Sequence, residues 1–326
     1  MRSFSYKDIS TLAKVSISTV SRFYNGGYVS KKTRSRIEKV VREHGYYPNN
    51  GARLIKGRSN SIFAIVPDVF DSSYGHIISG IEGSANDRNK KVFITHSSIE
   101  QHKYIETIRY CLAWKPNALV LFLPKRENDM ILNFLKDHPI DSTLVVYGEP
   151  VEGINWIDVD VKNAFYSVTR SFHDYIEENQ KIIYADDVKL SERQKELRFE
   201  GFKTACEYLG IEYERYSIDN RKNQDVQKFQ KYLIDNKHVN VVCSTHESFV
   251  NLVSSNDNQL RLTDIGTHSI YDTQKKYKAK IFIDYHKIGE NIERAIHDTD
   301  IQKLDETKKE FDTIKTEFRP MIITQK

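Results

Sequence analysis

The sequence predicts an α/β protein, with a small helix-turn-helix head ahead of a larger body built on parallel sheets. Three observations carry this. The charge is uneven: residues 1–60 hold thirteen Lys or Arg against three acidic residues, and the rest of the 326-residue chain holds 36 against 42. Val15 to Asn25 reads as the turn and second helix of a helix-turn-helix. From residue 61 onward, strand-like and helix-like runs alternate too often for one doubly wound sheet and suit two.

The head comes first. Ser5-Tyr6-Lys7-Asp8 has the form of a capping box, and Ile9, Leu12 and Ala13 give the first helix an inward face. Lys14-Val15-Ser16 is the turn. Ser16 caps the second helix, in which Val20, Phe23 and Tyr24 form one apolar stripe. Ile17, Ser18, Ser21 and Arg22 then point outward. Small side chains closed by one Arg suit a DNA major groove, where Arg reaches the O6/N7 edge of guanine. Gly26-Gly27 ends this helix. Ser30 caps a third, with Ile37, Val40 and Val41 as its apolar positions, and Gly45 and Pro48 stop it.

A fourth, two-turn helix is expected next, capped by Asn49 or Asn50 and ended by Gly57. Isolated helices shorter than about 12–15 residues are marginal in water, and Gly51 weakens this one further. It should fold only against a partner, which makes it a candidate switch.

In the body, strands are expected at 61–66, 91–96, 118–123, 143–147, 181–185, 239–244, 263–265 and 281–283. Helices are expected near 74–89, 101–114, 127–138, 161–178, 192–209, 224–236 and 246–255. Ligands in such folds sit beyond the carboxyl ends of the strands. That rule selects Phe70, Asp71, Ser72, Ser73 and Tyr74, then His96, Pro124, Lys125, Tyr147 and Glu149, then Thr245, His246, Thr267, His268, Asp284 and Tyr285. Hydroxyls, rings and imidazoles together suit a polyhydroxylated small molecule. For the histidines, solvent-facing loop positions are an equal alternative.

Several classes are excluded or disfavoured. No segment approaches membrane-spanning length and the N-terminus has no signal-peptide stretch, so a cytoplasmic protein is expected. Cys111, Cys206 and Cys243 lie far apart and read as buried thiols of a reducing compartment. No phosphate-loop, dinucleotide, nucleophile-elbow or zinc motif occurs, so no catalytic residue, metal or cofactor is assigned.

Residues 6–58 resemble the DNA-binding region of the LacI/GalR family of bacterial transcription regulators. The likeness rests on Lys7-Asp8-Ile9, Leu12-Ala13, Val15-Ser16, Ser18-Thr19-Val20-Ser21-Arg22, Asn25, Val29-Ser30, Thr33-Arg34, Gly45-Tyr46, Pro48-Asn49 and Ala52-Arg53. It implies that Ile17, Ser18 and Arg22 read bases and that Ser16, Thr19, Ser21, Asn25 and Thr33 lie near phosphates. Thr33 and Asn25 are equally well read as a helix cap and a turn residue. Ile55 matches the family's minor-groove wedge, with a buried linker residue as the alternative, and Arg53 and Lys56 are phosphate partners.

For the body the resemblance implies a periplasmic-binding-protein-like core of two Rossmann-like parallel-sheet subdomains. The chain would cross between them near 157–163, 284–288 and 313–317. The expected organisation is a head over 1–48, a hinge over 49–60 and a core over 61–326. The core divides into a first subdomain of about 61–158 with 286–314 and a second of about 159–285 with 315–326. Arg198, three before Gly201, matches an effector-clamping Arg, with a surface salt bridge to Glu200 or a neighbour as its alternative. Tyr74 matches an effector-facing aromatic. His246 and His268 replace family carboxylates, which favours an unusual or phosphorylated sugar.

The function expected is a dimeric repressor of a carbohydrate-utilisation operon. It would bind a pseudo-palindromic double-stranded operator and respond to a small sugar or sugar phosphate, by induction or co-repression. The alternatives are a cytosolic sugar-binding protein or a sugar-modifying enzyme.

Overall fold

The computed structural model describes residues 5–24, 27–44, 46, 60–67, 72–124, 128–254, 260–304 and 312–325. The expectations for Asn25, for the helix stops at Gly26, Gly45 and Pro48, for the hinge with Arg53, Ile55 and Lys56, and for Phe70, Asp71 and Lys125 lie outside them. The chain divides into two units, Met1–Arg58 and Ser59–Lys326.

In the first unit, helices α1 (Tyr6–Ala13), α2 (Ile17–Tyr24) and α3 (Lys31–His44) close on Ile9, Ala13, Val20, Ile37 and Val40. An aromatic group seals this small core. Tyr6 stacks on Tyr24 with centroids 5.2 Å apart, and Tyr46 meets both edge-on. The Tyr24 hydroxyl is pushed up to about 12, chiefly by burial and then by Tyr46 and Tyr6. The capping box forms, with the Ser5 N–H donating to Asp8 at 2.8 Å. Leu12 corrects the expected inward face: it is 50% exposed, because a two-turn helix buries positions 9 and 13, four apart, and turns 12 to the flank.

The second unit contains two six-stranded sheets. The first comprises β1 (Ser61–Val66), β2 (Lys91–His96), β3 (Ala118–Phe122), β4 (Thr143–Tyr147), β5 (Asn155–Val159) and β11 (Lys315–Phe318), in the order 11-5-4-3-1-2 and parallel throughout. The second comprises β6 (Ile182–Asp187), β7 (Tyr213–Ile218), β8 (Asn240–Cys243), β9 (Arg261–Gly266), β10 (Ala279–Phe282) and β12 (Met321–Thr324), in the order 12-10-9-8-6-7. Only β12 runs antiparallel, against β10. The strand order reverses beside β1 in one sheet and β6 in the other. Those are the positions where a crevice opens beyond the strand ends.

The structure adds elements to the sequence reading. β5, β7, β11 and β12 are half-polar or short strands, and β7 and β12 form edges of their sheet. A 20-residue helix, α12 (Tyr285–Leu304), was also missing, although Ile288, Ile292, Ala295, Ile296 and Thr299 give it a buried stripe. The third crossing falls at 319–320 rather than 313–317, since β11 still pairs with β5.

Each sheet is backed by two helices in close contact through glycine. α12 packs on α4 (Ser72–Asp87), where a Cβ on Gly289 would stand 2.0 Å from the Ile77 carbonyl oxygen. α8 (Glu192–Leu209) packs on α7 (Val161–His173), where a Cβ on Gly201 would stand 2.0 Å from the Lys162 carbonyl oxygen. Cys111, Cys206 and Cys243 are free and buried. Burial raises all three thiols, Cys206 to about 12 with help from Glu207.

Candidate functional site

The head presents α2 as a capped helix with one open face. The Thr19 N–H donates to the Ser16 hydroxyl at 3.1 Å, so Ser16 satisfies one of the four N–H groups left free at a helix start. The Ser16 hydroxyl also lies 2.8 Å from those of Ser18 and Thr19. Val20 is buried, while Ile17, Ser18 and Arg22 are exposed and Ser21 is half-exposed. The Gly27 N–H donates to the Arg22 carbonyl at 3.0 Å and closes the helix. A Cβ on Gly27 would meet Arg22 Cγ at 2.5 Å, so glycine there leaves the Arg22 stem its room. Thr33 serves the cap of α3: its N–H donates to Ser30 Oγ at 3.4 Å, and the Ser30 hydroxyl donates to Thr33 Oγ1 at 3.0 Å.

In the body, two cavities open beyond the strand ends. The first, of about 240 Å³, is bounded by Tyr74, Asn128, Tyr147, Glu149, Arg193 and Arg198 among others. The second, of about 360 Å³, is bounded by His76, Lys189, Arg198, Thr245, His246 and His268 among others. Ser73 and Arg198 line both.

Arg198 is held from two sides. Nη1 donates to the Ser244 carbonyl, and the guanidinium lies 5.7 Å from the centroid of the Phe165 ring on α7. Its buried Nε has no hydrogen-bond partner among the described residues. A buried donor left in this state is costly, and an acceptor placed beside it would satisfy it. The alternative pairing with Glu200 does not form, because Lys162 takes that carboxylate at 2.6 Å. Tyr74 packs edge-on against Phe122 at 5.0 Å, and Phe122 in turn neighbours Tyr147 at 5.5 Å.

Behind the second cavity lies a buried charge chain. Lys280 and Asp264 are fully buried, with Lys280 Nζ 3.1 Å from Asp264 and 2.9 Å from Asp272. His246 Nδ1 lies 2.7 Å from Asp264, and His268 Nδ1 3.3 Å from Asp272. Burial pushes the Asp272 carboxyl up. Hydrogen bonds from the Ser269 N–H, the Tyr277 hydroxyl and Lys280 outweigh this and hold it at about 2.

Two sequence-selected residues do not join either cavity. His96 stands exposed at the end of edge strand β2. Asp284 accepts the Lys287 N–H at 2.9 Å, the geometry of a helix cap at the start of α12. Ser72 begins α4, and only its backbone is described. Conversely, the sequence reading selected nothing after the strand expected at 181–185. β6 in fact runs to Asp187, and Lys189 and Arg193 follow it into the cavities. His76, one turn into α4, was also passed over.

Residues 5–49 match the family described as bacterial regulatory proteins, lacI family. The repressor CytR of Escherichia coli K12 is 40% identical over 107 residues, 31% of this chain and 31% of CytR. The sucrose operon repressor of Staphylococcus xylosus is 26% identical over 162 residues, 49% of this chain and 50% of that protein. The chain thus aligns with a third to a half of the length of these relatives. The solved lac repressor dimer, bound to operator and the anti-inducer ONPF, superposes with a TM-score of 0.75 at 16% identity, covering 99% of this chain and 98% of that one. This superposition establishes the fold: a helix-turn-helix head and a core of two parallel-sheet subdomains.

Proposed function

We infer that this chain, which has a LacI-family head on a lac-repressor fold, is a ligand-controlled transcription repressor of a carbohydrate-utilisation operon. The observation that carries this reading is the face of α2: Ser16 caps the helix, and Ile17, Ser18 and Arg22 stand open to solvent on the strongly basic unit. Two such helices in a homodimer would read half-sites in successive major grooves of a pseudo-palindromic operator. Ser16, Thr19, Ser21, Asn25 and Thr33 would fix the register on phosphates, as would Arg53 and Lys56 in the hinge at 49–60. Ile55 would wedge the minor groove.

The effector would occupy the cleft, gripped by Arg198 with Tyr74, Tyr147, Thr245, His246 and His268. Its arrival would reorient the two subdomains and change the helical population of the hinge. Coupling of about 1–3 kcal/mol is typical of such linkage, comparable to what a marginal two-turn helix has to lose. Among the described residues no helix is long and apolar enough to cross a membrane, in keeping with a cytoplasmic regulator.

A gel shift with the DNA upstream of the gene and its neighbours tests the reading. Specific retardation that a small sugar or sugar phosphate alters supports it. Equal binding to operator and scrambled DNA at every salt concentration would overturn it, in favour of a sugar-binding protein or enzyme.

A further inference from the structure

Among the described residues, the two halves of the cleft differ in charge. The first cavity is bounded by three carboxylates, Asp129, Glu149 and Glu192, and by Arg193 and Arg198. Arg193 is already committed, with Nη2 2.7 Å from Asp158. The second cavity is bounded by Lys189, Arg198, His76, His246 and His268. Among the described residues its one carboxylate is Glu247, which sits 3.1 Å from Lys189.

The imidazoles of His246 and His268 are oriented from behind. Each turns Nδ1 to a carboxylate of the chain Asp264–Lys280–Asp272. That leaves Nε2 as the nitrogen on the opposite side of each ring, on residues that line the cavity, where it donates to an anion when the ring carries both protons. Such backing by a second layer of groups fixes ring orientation wherever imidazoles receive a ligand. α10 (His246–Ser254) also begins here, capped by Thr245, whose Oγ1 accepts the Ser248 N–H at 3.2 Å. A helix start favours negative charge. Arg198, whose Nε has no partner among the described residues, lines both cavities.

We propose that the half of the cleft bounded by His76, Lys189, His246 and His268 is an anion subsite, so that the effector is the phosphate monoester of a small hydroxylated molecule. It would lie with its phosphate in this half and its hydroxyls toward Asn128, Glu149 and Tyr147. Arg198 would bridge the two ends. The proposal rests on the cleft being the effector site.

The test uses the full chain, with inorganic phosphate as probe against sodium chloride of equal ionic strength. A thermal melt should show a saturable rise with phosphate. The rise should need at least tenfold more phosphate in His268→Gln and His246→Gln, with circular dichroism unchanged. His246 holds a buried partner, so if His246→Gln fails to fold, His268→Gln and Lys189→Gln carry the same comparison.

A second arm sets glucose 6-phosphate against glucose. The phosphate ester should bind at least tenfold more tightly in the native chain, and that preference should vanish in His268→Gln. A phosphate effect equal to that of chloride, or one indifferent to the histidine variants, would mean an adventitious ion only and would overturn the subsite. Operator release by neutral sugars alone would also overturn it while leaving the repressor reading intact. Loss of all specific DNA binding would overturn the repressor reading, and the phosphate melts would still decide the subsite.

Discussion

Arg198 lies across the ring of Phe165, its guanidinium 5.7 Å from the ring centroid. This contact joins α8 to α7 one turn before the helices touch at Gly201, where a Cβ would fall 2.0 Å from a carbonyl oxygen. The side chain proposed to grip the effector is therefore placed by a buried residue that lines neither cavity.

Arg198→Ala should abolish the effector response while operator binding is retained. An unchanged dose–response curve in a gel shift would remove Arg198 from the site. Gly201→Ala should also blunt the response, because α8 must move away from α7. Overpacking of this kind costs about 1–3 kcal/mol, visible as a lowered melting temperature. A Gly201→Ala protein with native stability and native response would show that the contact is slack.

In the head, Arg22→Ala should relax operator discrimination by about 1–3 kcal/mol. Competition between operator and scrambled duplex measures it, and intact preference would refute the assignment of α2 as the reading helix. Gly27→Ala should act in the same direction more weakly, since the added methyl must displace the Arg22 stem.

Lys56→Ala should weaken binding to all sequences alike and lower the slope of log affinity against log salt by about 1. A change in sequence preference instead would place Lys56 at a base edge.

Lys280 is buried between two carboxylates. Lys280→Met should destabilise the body by about 3–5 kcal/mol, the usual cost of stranding a buried charge, as read by chemical denaturation. Asp264→Asn added to it should recover part of the loss. If Lys280→Met melts like the native chain, the charge chain contributes nothing.

Acid should expose Asp272. Its folded carboxyl is held at about 2, below the ordinary 3.8, so the unfolded chain takes up its proton first as the pH drops. The stability it contributes is present above 3.8 and is lost as the pH falls through about 2. Asp272→Asn should flatten the denaturation profile across that window. A variant profile parallel to the native one would count against the assignment.

Much of the head was legible because each expectation rested on local chemistry. Ser5, Ser16 and Ser30 cap helices through atoms a few residues away, and a 3.6-residue period identifies Val20 and Ile37. Leu12 failed because a helix of eight residues has a flank as well as a face. In the body the central strands were readable as apolar runs. The half-polar strands β5 and β7 were not, since pairing and packing from distant parts of the chain decide them. Reading the strand ends found Tyr74, Tyr147, Thr245, His246 and His268. It missed Lys189 and Arg193 because β6 extends through Asp186 and Asp187, polar residues that look like a strand's end. Asp186 is held by Arg215 at 2.8 Å, and Asp187 accepts the Thr245 hydroxyl at 2.8 Å. Neither pairing has a signature in local sequence.

The enclosure of Cys111, Cys206 and Cys243 has a practical consequence. Maleimide dyes attack thiolates at the surface, and none of these sulfurs offers one. The native background is therefore already silent to labelling. A single Tyr28→Cys or Ile234→Cys change, at positions 87% and 75% exposed, would create one fluorophore attachment point without prior removal of cysteines. Head and body could then be tracked separately by emission as duplex or sugar phosphate is added.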